Sequence, residues 1–248
     1  MLKNLNPSTQ GCPAPSAKLV YLYAEPEILV KPSLYAHPFA SYCQKVLIAL
    51  YENDTAFIYR KLVPEDPSAM SELEKHWPLR KFPVLVDNGR VLLESSVIIE
   101  YLLIRHPGPV RLIPADPDSA LDVRIMDRFF DNYIMAPMQR IVADFIRAKA
   151  DRDPLGVNEA RSGLDSAYDW LDGVMKKQMW AGGPEFSMAD CAAAPSLFYS
   201  DWVHEIGERF SNVRAYRKRL LQRPSVARTI EEARPFRKLF PPGAPDRD

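Results

Sequence analysis

From residue 41 onward the apolar positions take up helical spacing. Cys43, Val46, Leu47 and Leu50 stand at i, i+3, i+4 and i+7, one face of a helix. The short apolar segment SLYAH comes just before and reads as a strand entering the loop that precedes this helix. TAFIYRKLV reads as a second strand of mixed pattern, and PEDPSAMSELEKHW as a polar connection. In KFPVLVDNGRVLLES two short apolar strands, PVLV and RVLL, flank Asp87-Asn88-Gly89. Asn-Gly is a strong hairpin signal because both residues tolerate positive φ. SSVIIEYLLI then predicts a helix, capped by Ser95 or Ser96 and ended by Pro107 and Gly108. The order strand, helix, strand, hairpin, helix predicts a small mixed sheet with helices against it.

The tract HPGPVRLIPADPDS, residues 106–119, carries four prolines and reads as an interdomain linker. Everything after it has helical spacing. ALDVRIMDRFFDNYIMAPMQRIVADFIRAK is apolar along one stripe and interrupted by Pro137. The stripe resumes at Met138, Ile141, Val142 and Phe145, so the proline is expected to kink the helix rather than end it. A further helix runs through Leu164, Ala167, Tyr168, Leu171 and Met175. The expected fold class is α/β plus all-α. Residues 32–106 form the α/β domain, 107–117 a linker, 118–235 the all-helical domain and 236–248 a surface tail. Residues 1–31 read as an irregular extension, in which 19–31 either add an edge strand or cross the surface.

Composition narrows the function mostly by exclusion. An apolar content of 47% in 248 residues supports a sizeable core. The 32 basic and 32 acidic residues cancel, so no overall field points to nucleic acid or an acidic membrane. No apolar run approaches the length needed to span a bilayer, and the first residues lack the pattern of a signal peptide. Three scattered cysteines, Cys12, Cys43 and Cys191, fit a reducing, cytoplasmic compartment. Four histidines lie far apart, and no metal-ligand cluster is read.

Chemistry first shows in LYAHPFASYCQKVLIAL, where Ser41, Tyr42 and Cys43 stand at a helix start. Ser41 either caps the helix or donates a hydrogen bond to a ligand. Cys43 begins the apolar face and reads foremost as a buried small hydrophobe. In LLESSVIIEYL, Ser95 is either a plain N-cap or a hydroxyl beside free N–H groups and a positive dipole end, suited to a carboxylate. In FSMADCAAAPSLF, Ser187 and Asp190 have capping-box spacing and Phe186 stands where a hydrophobic staple begins, a structural reading.

Taken in this order and spacing, these segments and WPLRKFPVLVD resemble a cytosolic glutathione transferase of the serine/cysteine type. The likeness covers about 200 residues of the chain. It implies a thioredoxin-like N-terminal domain followed by a helical bundle. It also implies glutathione as co-substrate, held by Lys81, Phe82, a cis Pro83, the backbone of Val84, and the Glu94-Ser95 pair at its γ-glutamyl end. An electrophile pocket between the domains would take His37, Phe39, Tyr133 and Met138, with Phe129 and Phe130 read as core. Members of the family are usually homodimers. Two positions depart from its pattern. The activating residue usually sits where this chain has Ala40, and Arg80 stands where a small turn residue is common. Ser41 is the nearest replacement, with Tyr42 and Cys43 behind it. The tyrosine-type members carry their phenol nearer Tyr35, in surroundings this chain does not match.

The function expected is a transferase that promotes attack of the glutathione thiolate on a hydrophobic electrophile, with no metal, nucleic acid or membrane partner. Two rivals stay open. A non-catalytic binding or interaction protein would fit the loss at Ala40, and a thiol–disulfide oxidoreductase would need Cys43 exposed.

Overall fold

Alternate residues of the first strand enter different cores, and this sets the architecture of the N-terminal half. In the computed structural model, which describes residues 31–248, β1 (Ser33–Ala36) sends Leu34 and Ala36 to one face and Tyr35 to the other. It pairs in parallel with β2 (Ile58–Lys61) and antiparallel with β3 (Val84–Asp87), which continues into β4 (Arg90–Leu92). The sheet order is β2-β1-β3-β4. The β3–β4 turn is made by Asn88 at φ 48° and Gly89 at φ 78°, the conformation that Asn-Gly favours. Helices α1 (Ser41–Glu52) and α3 (Ser95–Arg105) cover one face, and α2 (Pro67–His76) covers the other. This is the thioredoxin-like arrangement. Helix α2 lies where the sequence reads as a polar connection. Only Ala69 and Leu73 of it are buried, so its apolar signal is two residues long.

The second half is all helical. Helix α4 (Pro117–Phe129) passes through a wider π-helical segment, Phe130–Met135, into α5 (Ala136–Ile146). The expected kink at Pro137 takes this form: proline has no N–H to give the preceding turn, and the helix widens just before it. Then come α6 (Pro154–Met175), α7 (Met188–Val203), α8 (Ser211–Leu221) and α9 (Pro224–Ala233). Helix α7 is the axis of the bundle, with every residue buried except Trp202. Helix α1 packs on α7 and α9, so one continuous core joins both halves. Residues 236–248 are not a free surface tail. Phe240 is buried against Phe39, Tyr199 and Trp202, and Arg247 pairs with the buried Asp201. The expectations for residues 1–30, including an edge strand and Cys12, lie outside the described residues.

The N-terminus of α7 is held by a reciprocal pair. The Ser187 N–H donates to Asp190 Oδ2 at 2.8 Å and the Ser187 hydroxyl to the same oxygen at 3.0 Å. The Ala181 N–H also donates to Asp190, at 2.9 Å. Burial pushes the Asp190 carboxyl upward, and these donors oppose it. Phe186 is buried beside Trp180.

Candidate functional site

A cleft of about 550 Å³ opens where the loop before α1 meets α5. The loop is fixed from behind by two buried polar side chains. The Gln44 amide donates to the Pro38 carbonyl at 3.0 Å, and the Tyr199 hydroxyl donates to the Phe39 carbonyl at 2.9 Å. Gln44 also reaches the Tyr199 oxygen at 3.0 Å, so α1, α7 and the loop form one hydrogen-bonded unit. Sequence reading missed both residues. Gln44 lies beside the apolar stripe, and Tyr199 is one aromatic among many; nothing local marks either as a partner of the loop.

Helix α1 begins at this cleft with no side-chain cap. Ala40 occupies the N-cap position with extended backbone, φ −88° and ψ 124°, and its methyl group satisfies no N–H. Ser41 is the first helical residue and lines the cleft. Tyr42 lines it too, half-buried, with its phenol pushed up to about 12 by burial and then by the Asp131 charge. Cys43 does not. It has no exposed surface, lies in the core, and burial pushes its thiol up to about 12. Cys191 is likewise buried. Tyr35 faces away, its hydroxyl donating to Glu72 at 3.0 Å.

The opposite rim of the cleft is the turn before β3. Arg80, Lys81 and Phe82 line it, and the Phe82–Pro83 bond is cis. Pro83 and Val84 are buried at the start of β3. Further along, Glu94 adopts φ 64° and presents Ser95 as the first residue of α3, whose start also lacks a side-chain cap. Neither residue lines the cleft itself, yet the Glu94 charge reaches Tyr42. The third wall is apolar: Phe39, Met138, Val142, Ile146 and Phe240.

Two expected pocket residues lie elsewhere. Tyr133 does not line the cleft. It is 60% exposed in a separate groove of about 820 Å³ between α4 and α6, near Phe129 and Trp170, on the helix face it shares with Phe129 four residues earlier. His37 is half-buried behind the loop, 5.0 Å from the Phe236 ring, and accepts the Phe39 N–H at Nδ1. Burial lowers its pKa. Phe130 is core, as expected, whereas Phe129 faces the groove. Among the described residues no three His, Cys, Asp or Glu side chains gather as a metal would require. No described helix is long and apolar enough to cross a membrane.

Beneath the cleft lies a buried ionic cluster. Lys45, 1% exposed, pairs with Asp127 at 2.6 Å and Asp131 at 2.9 Å, and donates to Ser96 at 2.9 Å. Arg128 closes it from the surface onto Asp127 and Asp131, both at 2.6 Å. Burial raises the Asp131 carboxyl and Lys45 opposes that shift.

Comparison with known proteins matches both halves. The glutathione S-transferase N-terminal domain model covers residues 34–110 and the C-terminal domain model residues 154–219. A glutathione S-transferase of Methylobacterium radiotolerans, solved in complex with glutathione sulfonate, superposes with a TM-score of 0.70 at 27% identity, covering 81% of this chain and 94% of that one. A stringent starvation protein A homolog of Coxiella burnetii is 27% identical over 206 residues, 81% of this chain and 92% of that protein. Glutathione S-transferase U25 of Arabidopsis thaliana is 28% identical over 205 residues, 78% of this chain and 86% of that protein.

Proposed function

Since the chain belongs to the glutathione S-transferase superfamily, with both domains matched, we propose that it is a transferase that binds reduced glutathione and promotes thiolate attack on a hydrophobic electrophile. The observation that carries this reading is the uncapped N-terminus of α1 opening into an apolar interdomain cleft, with Ser41 at its first position. The N–H groups of Ser41, Tyr42 and Cys43 have no backbone acceptor among the described residues, since Ala40 donates to His37 and Gln44 to Ala40, and with the positive dipole end they favour an anion there. The Ser41 hydroxyl, in the serine-type role that Ala40 cannot fill, donates to the sulfur and favours the thiolate. Lowering a thiol pKa by one unit needs about 1.4 kcal/mol, within reach of one such bond.

The remaining binding groups suit an extended tripeptide. Lys81 has no acidic partner among the described residues and would take the glycyl carboxylate. The start of β3 at Val84 offers backbone, and Ser95 with the free N–H groups of α3 offers donors to the γ-glutamyl carboxylate, while Glu94 meets the ammonium. Phe39, Met138 and the apolar wall receive the electrophile. We further propose a homodimer joined through the groove between α4 and α6. There Leu121, Ile125, Tyr133 and Trp170 leave a large apolar face in water.

One observation favours a second reading. Ala40, whose methyl group can neither donate to a thiolate nor attack a disulfide, stands at the α1 start. A glutathione-transferase-like binding protein without turnover would fit it. Among the described residues both cysteines, Cys43 and Cys191, are buried, which speaks against a thiol–disulfide oxidoreductase acting through Cys43.

Calorimetric titration with reduced glutathione near neutral pH separates the readings. A dissociation constant between micromolar and low millimolar, with conjugation of 1-chloro-2,4-dinitrobenzene above the uncatalysed rate, is the expected result. No heat up to about 10 mM, weaker than about −3 kcal/mol of binding, would sink the transferase reading.

A further inference from the structure

The cleft is charged on one side only. Its lining includes two cations, Arg80 and Lys81, and no Asp or Glu. Of the carboxylates nearby, Glu74 is engaged with Arg80 at 2.9 Å, and Asp127 and Asp131 with Lys45 and Arg128, while Glu94 acts on Tyr42 from outside the lining. The rest of the lining is aromatic, aliphatic or neutral. Arg80 is held in an unusual place. It closes the turn after α2 by donating its N–H to the Trp77 carbonyl at 2.9 Å, with φ at 55°. Backbone of this kind favours glycine, and a long side chain there costs stability that a glycine would not.

We propose that the electrophile accepted by this cleft is amphipathic, an apolar or aromatic body bearing a carboxylate, and that Arg80 is the residue selecting it. The inference rests on the transferase reading of the cleft and deepens it. The two cations divide the work. Lys81 directly precedes the segment where glutathione would pair, so its charge belongs to the glycyl carboxylate. Arg80 stands one residue further from that segment along the chain and lines the same cleft as Met138 and Ile146. Its planar guanidinium presents paired donors that match a carboxylate edge, which an ammonium cannot do. The pair with Glu74 does not forbid this. Both side chains are well exposed, 64% and 42%, and an exposed pair contributes little, so Arg80 exchanges one carboxylate for another at small cost.

The test measures binding of two unreactive probes by calorimetry, 3,5-dinitrobenzoate and 1,3-dinitrobenzene, with and without glutathione. The wild-type chain is expected to hold the benzoate at least about 10-fold tighter, the scale of one charge-assisted pair. Arg80→Gln is expected to reduce that preference to about 2-fold, and Arg80→Gly, which suits the turn backbone, to do the same without loss of thermal stability. Glu74→Gln frees the guanidinium and is expected to raise benzoate affinity about 2-fold. Equal affinity of the wild type for the two probes overturns the inference. So does an Arg80→Gln variant that weakens glutathione while keeping the preference, since the cation would then serve glutathione. Benzoate preference without any glutathione binding would support the anion site and remove the transferase reading beneath it.

Discussion

Ser41 and Cys43 stand two positions apart on one helix and meet opposite environments. Ser41 borders the cleft and Cys43 has no contact with water. A thiolate at Cys43 would lose its hydration, so its pKa rises to about 12 and the group stays neutral throughout the physiological range. Ser41 acts in the other direction: a hydroxyl hydrogen bond stabilises a bound thiolate and lowers the pKa of that thiol. Its removal therefore raises that pKa. In Ser41→Ala the acidic limb of the kcat/KM profile is expected to move up by about one pH unit. Turnover would fall about 10-fold below the limb and approach the wild type above it. A hydroxyl that only stabilised the helix would lower Tm and leave the limb in place. Ser41 was legible as a candidate because it stands at a helix start, next to the position where the resembled family carries its activating residue and this chain has Ala40. Its first place after an uncapped alanine was not, since cap geometry depends on the φ and ψ of Ala40.

At the scale of elements, the site depends on how α1 is clamped. Gln44 and Tyr199 fix the loop in front of it, and Lys45 ties its first turns to α3, α4 and the π segment. Lys45→Met removes the cation between two buried carboxylates. The expected loss is about 3–5 kcal/mol in urea unfolding, because the carboxylates remain buried without their partner. A loss below about 1 kcal/mol would mean that Arg128 and water neutralise the cluster unaided. Periodicity located α1, α3 and the long helices, whose apolar faces have many members. It missed α2, whose buried face is only Ala69 and Leu73. The family resemblance put Tyr133 in the pocket with Met138, whereas five residues along a helix leave the two on different faces and Tyr133 borders the groove instead.

At the scale of the whole molecule, the two open concavities have different characters. The interdomain cleft carries cations, whereas the α4–α6 groove is bounded mainly by apolar side chains and is the larger. A symmetric second chain is the occupant proposed for the groove, because a C2 interface needs one self-complementary patch. Sedimentation velocity should then give twice the 28.2 kDa chain mass, and Trp170→Glu should return the monomer. A wild-type monomer at micromolar concentration would overturn the dimer. Residues 236–248 show the same dependence on scale: their prolines and charges read as a surface tail, yet Phe240 completes the wall of the cleft beside Tyr199.

What the sequence by itself determined was the division into an α/β half and a helical half, the hairpin at Asn88-Gly89, and the stripes of α1 and α6. These are local properties, set by φ/ψ preference and by apolar spacing within a few residues. Only the tertiary structure decided which side of α1 faces the cleft, that Tyr133 borders a different groove, that Lys45 is buried among carboxylates, and that Arg80 joins a cleft whose lining holds no acid. Each of these depends on residues far apart in the chain, Lys45 with Asp127 and Phe39 with Tyr199, and charge, burial and hydrogen bonding between them arise only once the two halves pack.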